Sequence, residues 1–326
     1  MAAAVARAGW GIAAIIGLHA IRLLSDTLGW IVLIPKENRP RLAAGFWMHW
    51  IGESVSNLLP AARVGGDILT ARLAVLRGVP GIIAAASTLV DVTTCVFTKI
   101  IFTLAGFLLL FAATGKMNLL WIGSVAELIA VLAVGGFYLV QKAGIFKWCA
   151  ALASRMAKSS NWQGLVDNGE ALDNAVRESY AQRMQVAACG FFSMISWMIG
   201  AAEVWIALNA LGVRAGILHG FILESASQGI RGALFLVPGA LGVQEGGYLL
   251  IGNLLGIPGD ISIALSVVLR VRELVCGLPG LIVWSIVEGR HLWKKTPAEQ
   301  KSIQGLQSDL KNPDRSSSKP IVWQRN

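Results

Sequence analysis

Two Pro/Gly breaks, each carrying one acid, stand at corresponding places in the two halves of an otherwise apolar chain. Leu59-Pro60-Ala61-Ala62-Arg63-Val64-Gly65-Gly66-Asp67 runs, one helix length later, into Gly78-Val79-Pro80-Gly81. A shift of 178 residues brings Val237-Pro238-Gly239-Ala240-Leu241-Gly242-Val243-Gln244-Glu245, which runs into Gly256-Ile257-Pro258-Gly259. Pro60, Gly78, Pro80 and Gly81 land on identical residues, and Asp67 lands on Glu245. Interrupted hydrophobic segments at matching positions point to a duplicated membrane unit and to the place where it binds its cargo. Chance likeness among Gly- and Pro-rich membrane helices is the competing reading.

Composition sets the class. The chain is 55% hydrophobic and 14% charged, with a mean hydropathy of +0.62, whereas soluble domains carry about 25% charged residues. Apolar stretches long enough to cross a bilayer, about 20 residues, fall near 10–34, 81–112, 118–140, 184–212 and 261–288, with shorter ones at 44–59, 218–237 and 241–257. Alternation at period two, the mark of an outer-membrane barrel, is absent. The expected fold is an all-α polytopic membrane protein of seven to eight hydrophobic segments, built from two inverted repeats with broken, re-entrant-like helices.

The net charge of +9 sits mostly in loops and the tail, as the positive-inside rule requires. No basic run interleaved with aromatics suggests a nucleic-acid groove. Cys95, Cys149, Cys189 and Cys276 are scattered, and free Cys in apolar segments behaves as a small hydrophobe. The first apolar run follows Arg7, contains Arg22 and Asp26, and has no clear cleavage site, so it is expected to remain as a span. The twelve tryptophans mostly flank spans, as an interfacial belt would.

Organisation follows from charge. A membrane domain is expected over 1–290, with repeat one at about 10–112 and repeat two at about 184–288. A polar connection at about 141–183 opens with the amphipathic Ile145-Phe146-Lys147-Trp148. The tail, 291–326, ends in a Ser/Pro/Lys-rich stretch expected to be disordered. Both the connection and the tail are basic and belong inside. In one arrangement, 44–79 enters from the cytoplasm and returns at Pro60–Asp67, while 218–257 enters from outside and returns at Pro238–Glu245. The rival arrangement has eight full spans and places Lys36, Arg39 and Arg41 outside.

Intramembrane charge is the main functional clue. Asp67, Asp91, Lys99, Glu203, Glu224, Arg231, Glu245, Arg270 and Arg272 fall in apolar stretches or at their breaks. Each charge costs about 2.5–3.5 kcal/mol at a helix centre facing lipid, so these groups must pair or face water. They are functional-site hypotheses by default. The expected breaks are at Pro60, Gly65, Gly66, Pro238, Gly239 and Gly242. Asp67 and Glu245, with Gln244 beside the latter, suit a proton or cation site or the partner of an arginine. The alternative is that the two acids cap the half-helices that follow. Arg63, Arg231, Arg270 and Arg272 are the candidate binders of a phosphate or carboxylate, for which the planar guanidinium fork is suited. Arg270 and Arg272 point to different helix faces, so one of them is expected at the cavity.

A second echo pairs Glu53-Ser54-Val55-Ser56-Asn57 with Glu224-Ser225-Ala226-Ser227-Gln228 at an offset of 171. Its serines are read first as packing residues. His19 and His49 lack the spacing of a metal site. No phosphate-binding glycine loop and no nucleophile elbow occurs. No cofactor and no metal are expected.

The run Val237–Gly247 resembles the Pro, small-residue, Gly-Val-x-Glu signature of the flippase-like membrane domain of lysylphosphatidylglycerol synthases and their stand-alone relatives. Asn57-Leu58-Leu59-Pro60 with Gly65-Gly66-Asp67 resembles its first-half motif. Similarity covers roughly 8–290. Glu53–Pro60 and Ser87–Val92 look most like the hopanoid-biosynthesis-associated, HpnL-type branch. The resemblance implies a protein of the bacterial inner membrane that moves a hopanoid or phospholipid between leaflets, with hopanoid-biosynthesis proteins as further partners. It carries over to Pro60, Gly65, Gly66, Asp67, Pro238, Gly242, Glu245 and, less directly, Asp91 and Arg270. The full synthases append an aminoacyl-transfer domain that this sequence does not show, so aminoacyl transfer is not expected. Two other readings stay open, a membrane-embedded lipid enzyme and a scaffold for hopanoid enzymes.

Overall fold

A computed structural model describes residues 9–59, 62–115, 117–144, 163–233 and 242–311. Pro60, Pro238, Gly239 and the Ile145–Trp148 stretch lie outside the described residues. The fold is all-α there, as the apolar periodicity predicts. Ten helices follow in order: α1 (Gly9–Leu33), α2 (Leu42–Leu58), α3 (Ala62–Leu76), α4 (Gly81–Thr114), α5 (Met117–Ala143), α6 (Gln163–Ala181), α7 (Arg183–Ala210), α8 (Ile217–Ala233), α9 (Val243–Leu254) and α10 (Gly259–Lys311). Residues Gly11–Leu33, Gly81–Thr114 and Arg183–Ala210 are each long and apolar enough to cross a bilayer. The chain divides into units 1–280 and 281–326.

The Gly-x-Pro-Gly echo forms the same local structure twice. Gly78 and Gly256 take positive φ, +94° and +74°, a conformation glycine adopts without steric cost. Each ends a helix with a bond reaching five residues back: Val79 N–H to the Ala74 carbonyl at 3.1 Å, and Ile257 N–H to the Gly252 carbonyl at 2.8 Å. Pro80 and Pro258 then start the next helix, their carbonyls accepting from Ala84 and Ser262 at 2.9 and 3.0 Å.

The expected breaks differ from the observed ones. Gly65 and Gly66 are inside α3, not in the break. The glycine character of Gly66 serves helix packing: a Cβ there would fall on Ser56 Oγ and on the Gly52 carbonyl oxygen of α2. Thr70 Oγ1 donates within α3 to the Gly66 carbonyl at 3.0 Å and reaches across to the Met48 carbonyl of α2 at 3.5 Å. Asp67 accordingly sits in the second turn of α3. Gly242, by contrast, does stand at a break, capping α9 at φ +79°.

α10 continues to Lys311. Residues 312–326 lie outside the described residues. Within the 141–183 connection, α6 turns Val176 into a buried cluster with Leu33, Ala86, Val90 and Cys189. Its Tyr180 hydroxyl donates to Gln141 Oε1 at 2.8 Å, and burial pushes that phenol above its usual range.

Contacts between the first halves and the second are reciprocal. α1 and α7 run antiparallel: a Cβ on Gly11 would meet Ala210, while Gly29 faces the Cys189 carbonyl, and Ser25 Oγ donates to the Phe192 carbonyl at 2.8 Å. On one side, α2 docks on α10. Trp50 Nε1 donates to the Cys276 carbonyl at 2.8 Å, and a Cβ on Gly280 would fall on Ser54 Oγ. On the other, α8 docks on α4. Phe221 meets Phe102 edge-on at 4.8 Å, and a Cβ on Gly106 would fall on Ser225 Oγ. Trp50 and Ser54 correspond to Phe221 and Ser225 in the second echo, so equivalent arms each seat against a glycine of the opposite half. The far face of α4 presents Phe97, Ile101, Leu104 and Leu108 outward, a stripe suited to lipid.

Gly66→Ala is expected to cost about 1–3 kcal/mol by forcing α2 from α3. Gly17→Ala, whose Cβ meets nothing within 4 Å, is the neutral control. Thermal unfolding of both variants in detergent checks the difference.

Candidate functional site

Charged residues spaced at helical intervals along apolar helices meet inside the bundle. His19, Arg22 and Asp26 share one face of α1 by their spacing. Glu224, Gln228 and Arg231 do the same on α8, and Arg270, Arg272 and Glu273 follow one another on α10.

The innermost contact joins Glu203 of α7 to Arg272 of α10 through Oε2 and Nη1. Glu203 is fully buried and Arg272 nearly so. From Arg272 the chain of charge runs outward. Its Nη2 lies 3.7 Å from Glu273 Oε1, which Arg231 Nη2 approaches at 3.5 Å. Glu273 Oε2 accepts from Arg270 Nη1 at 3.0 Å, and Arg270 Nε reaches Glu245 Oε1 at 3.4 Å. Glu245 Oε2 then accepts from the Gly242 N–H at 2.8 Å. One carboxylate therefore caps α9 and pairs with an arginine. The N-terminal end of α9 favours that negative charge.

A second branch leaves Glu203 through His19. His19 Nδ1 lies 3.6 Å from Glu203 Oε1 and Nε2 lies 3.5 Å from Glu53 Oε2. Arg22 stacks over Trp197 with its guanidinium carbon 5.5 Å from the ring centroid. Gly200 clears the space beside it, since a Cβ there would meet Arg22 Nη1 at 3.3 Å and Glu224 Oε1 at 3.4 Å. Glu224 accepts from Gln228 Nε2 at 2.8 Å and from the Tyr248 hydroxyl at 3.0 Å.

The network is not closed. Glu203 Oε1, Gln228 Oε1, Gln244 Oε1 and the Nε atoms of Arg22 and Arg272 are buried without a hydrogen-bond partner among the described residues. Partly satisfied polar groups at low dielectric are costly, and each calls for water, a proton or a ligand. A small cleft of about 10 Å³ is lined by His19, Trp50, Glu53, Asn57, Glu273 and Cys276 among others. No group of three His, Cys, Asp or Glu residues among those described is placed to hold a metal ion.

Of the sequence-predicted residues, the structure joins Glu245, Arg231, Arg270 and Arg272 into this network, and both neighbouring arginines of α10 take part. Arg272 meets Glu203 of α7 and Arg270 meets Glu245 of α9. Gln244 is buried beside Glu245. Asp91 is elsewhere, accepting from Cys189 Sγ at 3.3 Å, and Asp67 lies within electrostatic reach of it. The described contacts therefore do not bring Asp67 to Glu245. Arg63 lies in the first turn of α3, with its side chain outside the described residues. The sequence reading did not name His19, Arg22, Asp26, Glu53 and Glu273 as site residues. Helical spacing on α1 is the available signal for His19, Arg22 and Asp26.

The chain belongs to the family described as lysylphosphatidylglycerol synthase TM region, matched over residues 1–280, and is a multi-pass membrane protein of that type. No curated protein matches the chain. No solved structure matches it either.

Arg272→Gln leaves Glu203 charged and buried, and should cost about 3–5 kcal/mol. Adding Glu203→Gln should recover most of that loss. A double-mutant cycle of detergent unfolding reads the coupling.

Proposed function

We propose that this protein is a lipid translocase of the bacterial inner membrane, with no catalytic step, moving the polar head of a hopanoid or phospholipid through the bundle while its tails stay in lipid. The tail of the chain faces the cytoplasm in this reading, and the two halves are inverted relative to one another. The observation that carries it is the charge network spanning both halves. Isolated charges at membrane depth are expensive and mark substrate or ion paths. Here they run from a buried anchor, Glu203–Arg272, to a partly open end at Arg231, Arg270 and Glu245.

The division of exposure assigns roles. Arg272 and Glu203 hold the bundle together. Arg231 and Arg270, each partly exposed, meet the head group, and an arginine fork binds a phosphate or carboxylate in two places at once. Glu245 and Glu273 hold those guanidiniums while no lipid is present and yield them when one enters. The crosswise docking of α2 on α10 and α8 on α4 supports alternating access. A shift of either half carries an arm of the other, so the cleft opens to one side of the membrane and then to the other. The match to a lysylphosphatidylglycerol synthase membrane region agrees with a lipid cargo.

Liposomes containing the purified chain, with labelled phospholipid or hopanoid in one leaflet, test the reading. Arg270→Gln removes a charged contact worth about 1.5–3 kcal/mol, so lipid movement should fall about ten- to hundredfold with the fold intact. Glu245→Gln keeps an oxygen at the α9 cap and should also slow movement. A folded wild-type chain that moves neither lipid, or an Arg270→Gln variant as fast as wild type, would sink the translocase reading.

A further inference from the structure

We propose that His19 and Glu53 form a proton-binding pair on the central cleft, which takes up one proton from cleft water and gives it back as the protein works. This rests on the translocase reading and adds the ligand that the site exchanges.

Each nitrogen of the buried His19 ring faces a carboxylate. Nε2 lies 3.5 Å from Glu53 Oε2 and Nδ1 lies 3.6 Å from Glu203 Oε1. A neutral imidazole has one N–H and can satisfy only one of them. The other edge would set a ring lone pair against carboxylate oxygens. The pair of contacts is complete only with a second proton, on His19 or on one acid.

The two edges differ. Glu203 is fully buried and held by Arg272, so it stays a carboxylate. Glu53 keeps 31% of its side chain exposed and lines the cleft with Asn57, whose amide approaches its other oxygen at 3.5 Å. The exchangeable proton is therefore the one between Nε2 and Glu53. The cleft has a cavity volume of about 10 Å³, about the space of one water and far below the roughly 300–1,000 Å³ of sites for organic ligands. In this conformation it admits water and protons.

The surroundings favour a positive group here. Glu53 faces His19 from α2 and Glu203 from α7, while α10 brings Arg272 and Glu273. On α1 itself Arg22 and Asp26 are close, Glu224 of α8 lies beside Arg22, and Asp91 of α4 couples to Asp26. Acids outnumber bases in this set. In the loaded state His19 is an imidazolium between two carboxylates. On release the Nε2 proton passes to Glu53 Oε2 and then to cleft water, leaving neutral His19 with its remaining N–H toward Glu203. Nε2 and Glu53 then repel, and the contact between α1 and α2 loosens. Proton loss is thereby tied to movement of the first hairpin arm.

Solid-state NMR of the full chain in liposomes, with isotope-labelled histidine, reads this without any lipid being moved. The His19 signal is assigned by its absence in His19→Gln. Should that variant not fold, His49→Gln, His219→Gln and His291→Gln assign it by elimination. The expected result is that the His19 signal passes between imidazolium and imidazole as the buffer pH is changed, with a midpoint that Glu53→Gln moves. A His19 signal that keeps one form throughout, or a midpoint unmoved by Glu53→Gln, overturns the proton site. A chain that interconverts His19 but moves no lipid overturns the translocase reading and leaves the proton site standing.

Discussion

The buried pair of Glu203 and Arg272 is the contact on which the rest of the molecule depends. Two charges taken out of water at membrane depth repay their desolvation only when geometry is close and further partners are near. Here α7 supplies the acid and α10 the base, so the pair fixes two helices from the second half against α1, which delivers His19 to the same carboxylate. The other charges of the network lead back to it through one to three contacts. Glu273 and Arg270 extend it toward α9, and Glu53 extends it toward α2. The network becomes less buried with distance from Glu203, from a fully enclosed carboxylate to the partly open Glu245. That gradient separates a holding end from an exchanging end.

Small residues decide how the helices can approach. Gly66, Gly106 and Gly280 each stand where a Cβ would meet a serine of another helix. In a bilayer, helix association relies on close backbone packing and interhelical hydrogen bonds rather than on hydrophobic burial. The echo serines Ser54 and Ser225 return their hydroxyls to their own helices, donating to the Trp50 and Phe221 carbonyls at 2.7 and 2.6 Å. They satisfy themselves and leave a smooth seam. A seam of this kind lets an arm shift against its neighbour with few hydrogen bonds to break, which is what an alternating cleft needs.

Much of this was legible in the sequence, for reasons that can be named. Long apolar runs gave the helices because bilayer thickness sets their length, and the Gly-x-Pro-Gly echo gave two matching helix ends because glycine and proline act locally. The acids and arginines of the second half were legible as intramembrane charge. Their pairing was not, because Arg272 meets Glu203 across 69 positions and Arg270 meets Glu245 across 25. His19 was weighed as a metal ligand and set aside. Its spacing to Arg22 and Asp26 marked a polar face, but only the fold shows two carboxylates on its ring. Glycine is common at breaks, and the sequence does not show that α3 folds back on α2, where the smallness of Gly66 is needed. The two motif acids differ in place, since α3 holds Asp67 about a turn deeper in its helix than α9 holds Glu245.

The central claim is that the charged cleft opens to each side of the membrane in turn. Cys276 lines that cleft and reports on it directly. With Cys95, Cys149 and Cys189 replaced by alanine, a membrane-impermeant thiol reagent should label Cys276 from outside in right-side-out vesicles and from inside in inverted ones. Labelling from one side only, at every pH and with every lipid present, would contradict the account.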